Sequence, residues 1–309
     1  MASKIIVEKP LLQTACMLGE GPLYDARTCT LHFVDIEERK VFHLNVETLD
    51  LVTEDFGVPV TSLALRKQGP GLACTTALGF ALAEGDGRLT YLAKPLPTAY
   101  AVHTRFNDGA CDVNGRYFAG TVCSKTPEIP GQLYRYDPTD LSCKLIDEGP
   151  FTDSNGLGWS PDGKTLYFTD SLVNRIHAYD YDSSTGDISN RRVHIDPLAE
   201  GLPENSYPDG LCIDSEGGIW SARWGASRIN RFNQDGKIDF EIVFPTALNI
   251  TACEFGGPNL DKLYVTSAHC GAVGGDASRQ ALYPDSGHLF VVDLAGQFHG
   301  GKWRFHFGG

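Results

Sequence analysis

The 309-residue chain has no run of about twenty apolar residues. Its N-terminal segment, MASKIIVEKPLLQTACMLGEG, is broken by charge and by Pro10, so neither a membrane span nor a signal-peptide core is expected. Basic clusters are equally absent. The 26 Lys and Arg stand against 39 Asp and Glu, a formal net charge of -13 that works against binding to phosphate backbones and anionic membranes. Nucleic acid and membranes are therefore not expected as partners, and no feature calls for an obligate protein partner. The nine cysteines are an odd number without a C-x-x-C pair, a usage that fits reduced thiols in a cytoplasmic protein rather than a disulfide framework. Also missing are G-x-S-x-G, H-E-x-x-H and G-x-G-x-x-G, and the nine histidines are scattered without zinc-like spacing. A serine-hydrolase reading has no footing.

What the chain does have is 42% hydrophobic residues, 34 glycines, 17 prolines and strand-like alternation with no long helical period. A phrase recurs along it: a turn, a short strand, a tight turn and an aromatic-rich strand. Clear copies are EGPLYDARTCTLHFVD from Glu20, NDGACDVNGRYFAGT from Asn107, NGLGWSPDGKTLYFTD from Asn155 and DGLCIDSEGGIWSA from Asp209. Weaker copies begin at Thr61 and Thr251. The starts are roughly 41 to 54 residues apart, close to the length of a four-stranded propeller blade. Third-strand segments follow, as in KVFHLNVET, GQLYRYDPT, NRIHAYDYD, SRINRFNQDG and GHLFVVDL. The expectation is an all-β chain forming one domain over residues 1–309, a six-bladed β-propeller with four-stranded antiparallel blades around a central metal channel. The stretch HCGAVGGDASRQALYPD, from His269 to Asp285, exceeds a hairpin turn and is expected to cross one face.

Equivalent positions of equivalent blades face the same level of the channel. Aligning the copies puts Glu20, Thr61, Asn107, Asn155, Asp209 and Thr251 at one such level, at the start of each inner strand. Carboxylates and amide oxygens converging there repel one another unless a cation sits between them, and oxygen donors suit a divalent ion. The competing explanation is that E-G, N-D-G, N-G and P-D-G are turn formers and nothing more. Arg105 lies two residues before Asn107, so in an extended strand its guanidinium reaches the same pocket. By the same spacing Asp153 and Tyr207 are candidates for the pocket wall.

The stretches GEGPLYD, RFNDGACDVNGRYFAGT, SNGLGWSPDGKTLYFTDS, DISNRR, PDGLCIDSEGGIWSA and FGGPNLDKLYVTSA, in this order, resemble the SMP-30 (regucalcin), gluconolactonase and luciferin-regenerating enzyme family. The resemblance runs from Gly19 to Ala268 and implies one divalent metal in the channel and hydrolysis of a sugar lactone. By motif match it implies Glu20, Asn155 and Asp209 as metal ligands and Arg105 and Asn107 as contacts to substrate hydroxyls. Many relatives carry a substrate-binding acid shortly after F-A-G-T. Here the corresponding place in AGTVCSKTPE falls at Ser124, so the acid is absent or displaced to Glu128.

The expected activity is divalent-metal-dependent hydrolysis of an aldonolactone, with Asp209 taking the proton of the attacking water and Arg105, Asn107 and Ser124 binding substrate. The ion is left open among Ca²⁺, Zn²⁺, Mg²⁺, Mn²⁺ and Fe²⁺. Hydrolysis of another ester-like bond, such as a phosphotriester, and a nonenzymatic Ca²⁺-binding or interaction propeller are the alternatives.

Overall fold

The computed structural model describes residues 3–125 and 128–309. Six antiparallel sheets follow one another along the chain. Blade 1 consists of Gly19–Asp25, Thr30–Asp35, Lys40–Asn45 and Leu51–Asp55, and blade 2 of Val60–Leu65, Leu72–Thr76, Gly79–Ala83 and Leu89–Ala93. Blade 3 is Phe106–Cys111, Tyr117–Thr121, Gly131–Asp137 and Ser142–Phe151, and blade 4 is Ser154–Trp159, Thr165–Asp170, Arg175–Asp182 and Asp187–Ile195. Each first strand is buried along almost its whole length, because it is covered by the neighbouring blades as well as by its own. The six inner strands lie against one another in a closed ring, the sixth packing beside the first. This is a six-bladed β-propeller.

Two blades depart from the four-stranded expectation, and both departures involve the N-terminus. Blade 5 (Tyr207–Ile213, Ile219–Trp224, Arg228–Phe232, Ile238–Val243) gains a fifth strand, Ser3–Ile6, which pairs parallel to its outer edge with Ser3 opposite Phe240 and Ile6 opposite Val243. Blade 6 has three strands, Asn249–Gly256, Lys262–Ala268 and Phe290–Asp293. Its open edge is met by Leu12, which bridges antiparallel to Leu289. The chain start thus covers the edges of the last two blades, joining the ends of the circle and satisfying backbone groups that an exposed edge would leave unpaired.

The E-G, N-G and D-G steps are not turns. They lie inside the inner strands, where the register of all six inner hairpins shifts. At Gly156 a Cβ would stand 2.4 Å from the Leu211 nitrogen, and at Gly210 it would stand 2.9 Å from Ala252 Cα. These glycines let neighbouring inner strands approach, and the bulges turn the preceding side chains toward the axis. The actual hairpin turns come later in each phrase, as at Gly115, Gly163 and Gly217, all with positive φ.

The other mouth of the channel is closed by the C-terminal tail. Gly301 N donates to Ile213 O of blade 5 at 3.0 Å, Trp159 N of blade 4 to Trp303 O at 3.0 Å, Phe305 N to Cys111 O of blade 3 at 2.9 Å, and Phe307 N to Leu65 O of blade 2 at 2.7 Å. Between these steps the Arg304 guanidinium reaches Pro22 O of blade 1 and the Glu254 carboxylate of blade 6. One short segment therefore touches all six blades.

Candidate active site

The inner strands begin at the mouth opposite the tail. A cavity of about 420 Å³ opens there, lined among others by Glu20, Arg105, Asn107, Asp153, Asn155 and Asp209. Four of the six ring positions therefore meet at one cavity. The other two do not: Thr61 Oγ1 lies 2.8 Å from Thr75 Oγ1, and Thr251 Oγ1 donates to Gly19 O at 2.5 Å, so both hydroxyls are engaged within the wall. Tyr207 and Asp153, expected at the pocket wall, line the cavity.

A chain of hydrogen bonds fixes the amides. Arg105 Nη1 donates to Asn107 Oδ1 at 2.5 Å and to Phe106 O at 3.0 Å. Asn107 Nδ2 donates to Ser154 O at 2.8 Å and to Asn155 Oδ1 at 3.1 Å. Asn155 Nδ2 donates to Ser171 Oγ at 2.8 Å, and Ser171 Oγ donates to Pro208 O at 2.6 Å. Both ends of the Asn107 amide are thereby occupied. The residue read from sequence as a substrate contact is placed here as the link between Arg105 and Asn155. Ser171, which sets the Asn155 rotamer, was missed because nothing in the sequence ties it to that amide.

Burial dominates the electrostatics. It pushes the Glu20 carboxyl up to about 8, with repulsion from Asp108 next in weight. Asp209 is raised well above the usual carboxylate range, first by burial and then by Glu20. Asp108 and Asp153 are each pushed up to about 6, again by burial. Burial also lowers the Arg105 guanidinium, against the pull of the surrounding acids. Glu20, Asp153 and Asp209 around the one guanidinium of Arg105 leave the cavity short of positive charge. Among the described residues no three His, Cys, Asp or Glu side chains form a ready cluster for a metal. The donors that share the cavity are instead mixed, Glu20 and Asp209 with the amide of Asn155. An all-oxygen set with excess negative charge fits a hard divalent cation.

Three further features bear on the cavity. The segment after His269 forms two 3₁₀ turns, Ala272–Gly274 and Ala277–Ala281, and residues 272–275 form part of the cavity wall. Val273 sits there with φ 53°, an uncommon conformation for a β-branched residue, and its N–H donates to Glu37 Oε1 at 2.8 Å. Ser124 belongs to the two-residue strand Ser124–Lys125, opposite Ile129. It lies outside the cavity lining, which at that point consists of Val122 and Cys123, and Glu128 is exposed on the same hairpin. Finally, Trp224 adds an aromatic surface that the sequence reading did not single out.

Fold and site together define a six-bladed propeller with a carboxylate-rich and amide-rich cavity at one mouth of its channel. The chain belongs to the SMP-30/gluconolactonase/LRE-like family, whose model, described as "SMP-30/Gluconolactonase/LRE-like region", matches residues 18–269. Rabbit (Oryctolagus cuniculus) regucalcin is 36% identical over 287 residues, covering 91% of this chain and 92% of the relative. Among solved structures, a luciferin-regenerating enzyme superposes with a TM-score of 0.83 at 30% identity, covering 93% of this chain and 95% of that one. A calcium-binding protein, regucalcin, from Agrobacterium tumefaciens superposes with a TM-score of 0.85 at 26% identity, covering 99% of both chains. No helix among the described residues is long and apolar enough to cross a membrane.

Proposed function

We propose that this chain is a divalent-metal-dependent hydrolase of sugar lactones, opening an aldonolactone to the aldonic acid in the cytoplasm. Family membership supports the reaction class. The observation that carries the reading is the meeting of Glu20, Asn155, Asp209 and Arg105 on one cavity of about 420 Å³, within the usual range for a small-molecule site. Glu20, Asn155 and Asp209 would hold the ion, which when bound supplies polarisation of the lactone carbonyl and charge for the developing oxyanion.

The remaining chemistry belongs to the chain. Arg105 donates hydrogen bonds to substrate oxygens, and Asn107 holds it in register with Asn155. The Asp209 carboxylate takes a proton as water adds to the carbonyl carbon. The bond from that carbon to the ring oxygen then breaks, and the ring oxygen leaves as a hydroxyl after receiving a proton. Residues 272–275 and Trp224 narrow the cavity around the substrate. Ser124 makes no substrate contact in this reading.

The test is hydrolysis of five- and six-carbon aldonolactones with and without chelator. Turnover that chelation abolishes is expected, and the absence of metal-dependent hydrolysis of every lactone would overturn the proposal. The printed description of the Agrobacterium relative as calcium-binding favours one second reading, a propeller that binds Ca²⁺ without catalysis. In that case Ca²⁺ binding would be measurable while no lactone is turned over.

A further inference from the structure

The geometry points to a hydroxyl clamp formed by Asp153 and Arg105, which makes Asp153 the residue that selects a polyhydroxylated ligand. For the identity of the reaction this rests on the lactone reading above; the recognition chemistry stands on the cavity itself.

Asp153 comes two residues before Asn155 and lines the same cavity. Its main chain is pinned on both sides. Asp153 N donates to Asp170 Oδ1 at 3.2 Å, Ser171 N donates to Asp153 O at 3.0 Å, and the residue bridges antiparallel to Val122 of blade 3. Its side chain, by contrast, is unsatisfied: Oδ1 is buried without a hydrogen-bond partner. A buried carboxylate oxygen left unpaired is costly, so a native site that keeps one generally pairs it with something else.

Arg105 is the cation on the same cavity, yet its Nη1 is committed to Phe106 O and Asn107 Oδ1, and no ion pair joins it to Asp153. The cavity therefore presents an acceptor that cannot donate beside a donor that cannot accept. A hydroxyl is the small neutral group that serves both, donating to the Asp153 carboxylate and accepting from the guanidinium. Rotation of the carboxylate about its last torsion, which is broad for Asp, presents either oxygen to the ligand. An unsubstituted lactone or a triester has no donor for Asp153 and leaves its carboxylate unpaired. The clamp also accounts for a site in which neither Ser124 nor Glu128 reaches the lining: the acid comes instead from the residue just before blade 4, which bridges to Val122, two residues before Ser124.

The experiment compares wild type, Asp153→Ala and Asp153→Asn on an aldonolactone and on an unsubstituted lactone of the same ring size, with melting temperature as the folding control. Asp153→Ala is expected to raise KM for the aldonolactone about tenfold to a hundredfold, with a smaller change in kcat, and to reduce the preference for the hydroxylated substrate by the same factor. Asp153→Asn keeps an acceptor oxygen and should fall between. Equal proportional losses on both substrates, or no change in preference, would overturn the clamp. Calorimetric titration with sorbitol, a polyol that is not hydrolysed, separates this idea from the lactone reading. Sorbitol binding lost in Asp153→Ala supports the clamp even if no lactone is turned over. Equal binding by both proteins, or none by wild type, overturns it.

Discussion

Asn107 donates through Nδ2 to Asn155 Oδ1 at 3.1 Å, while its own Oδ1 accepts from Arg105 at 2.5 Å. One amide on blade 3 thus orients a guanidinium on its own strand and a ligand-type oxygen on blade 4. Asn107→Ala should therefore act at two places, releasing Arg105 toward the acids and freeing the Asn155 amide to flip. We expect kcat/KM to fall about tenfold to a hundredfold, with weaker metal binding as well. Steady-state kinetics at several metal concentrations would check this. A pure KM effect that is independent of metal would place Asn107 on the substrate alone.

The pH dependence of metal binding follows from the raised acids. In the metal-free fold burial pushes Glu20 up to about 8, so below that pH a cation must displace a proton. Affinity should climb as pH rises, since Asp209 is raised as well, and calorimetry in buffers of different ionisation enthalpy should detect released protons. For stability the sign is opposite to that of a salt-bridged acid. The Glu20 contribution is fully present below its unfolded value near 4.5 and is lost as pH rises through about 8. Added metal should reverse that trend, which melting curves with and without ion would show.

A histidine pair in blade 1 gives a second, independent pH effect. His32 Nδ1 lies 2.6 Å from His43 Nδ1, and His43 Nε2 lies 2.9 Å from Glu54 Oε1. Burial, with His43 next, lowers His32 to about 4. The unfolded chain then takes up the proton first, so this contribution is present above about 6.5 and is lost as pH falls through 4. In His32→Leu, the slope of melting temperature between those pH values should flatten. An unchanged slope would remove His32 as its source.

The tail gives a stability prediction. Trp303 is 4% exposed and its carbonyl accepts from Trp159 N at 3.0 Å. Trp303→Ala removes a large buried ring at the point where the tail crosses blade 4, and should cost about 3–5 kcal/mol in denaturant unfolding. A loss below about 1 kcal/mol would mean that the tail is a passive cover.

The blade count, the third strands and the level at which the polar side chains meet were legible in the sequence because each is written locally, by the spacing of a phrase and by alternation within it. Glu20, Asn107, Asn155 and Asp209 follow from one alignment. The same alignment wrongly enrols Thr61 and Thr251, whose hydroxyls turn to strand neighbours. It also reads N-G and D-G as turns, since the approach of Leu211 to Gly156 is set by the next blade rather than by the residue itself. Closure was invisible for a similar reason: Leu12 meets Leu289, and the tail from Gly301 to Phe307 crosses strands that lie far earlier in the chain. The position of Ser124 came from resemblance alone, and in the fold the lining at that point falls to Val122 and Cys123.

On the proposed function, Glu20 and Asp209 serve one metal-dependent reaction in unequal ways. The most direct test measures lactone turnover against divalent-ion concentration for wild type, Glu20→Gln and Asp209→Asn. Glu20→Gln keeps an oxygen donor but loses a charge facing the cation, so excess ion should partly restore its turnover. Asp209→Asn can still present an oxygen but cannot accept a proton, so its turnover should stay low at every ion concentration. Full recovery of Asp209→Asn by excess ion, or turnover in wild type that does not depend on the ion at all, would contradict the account.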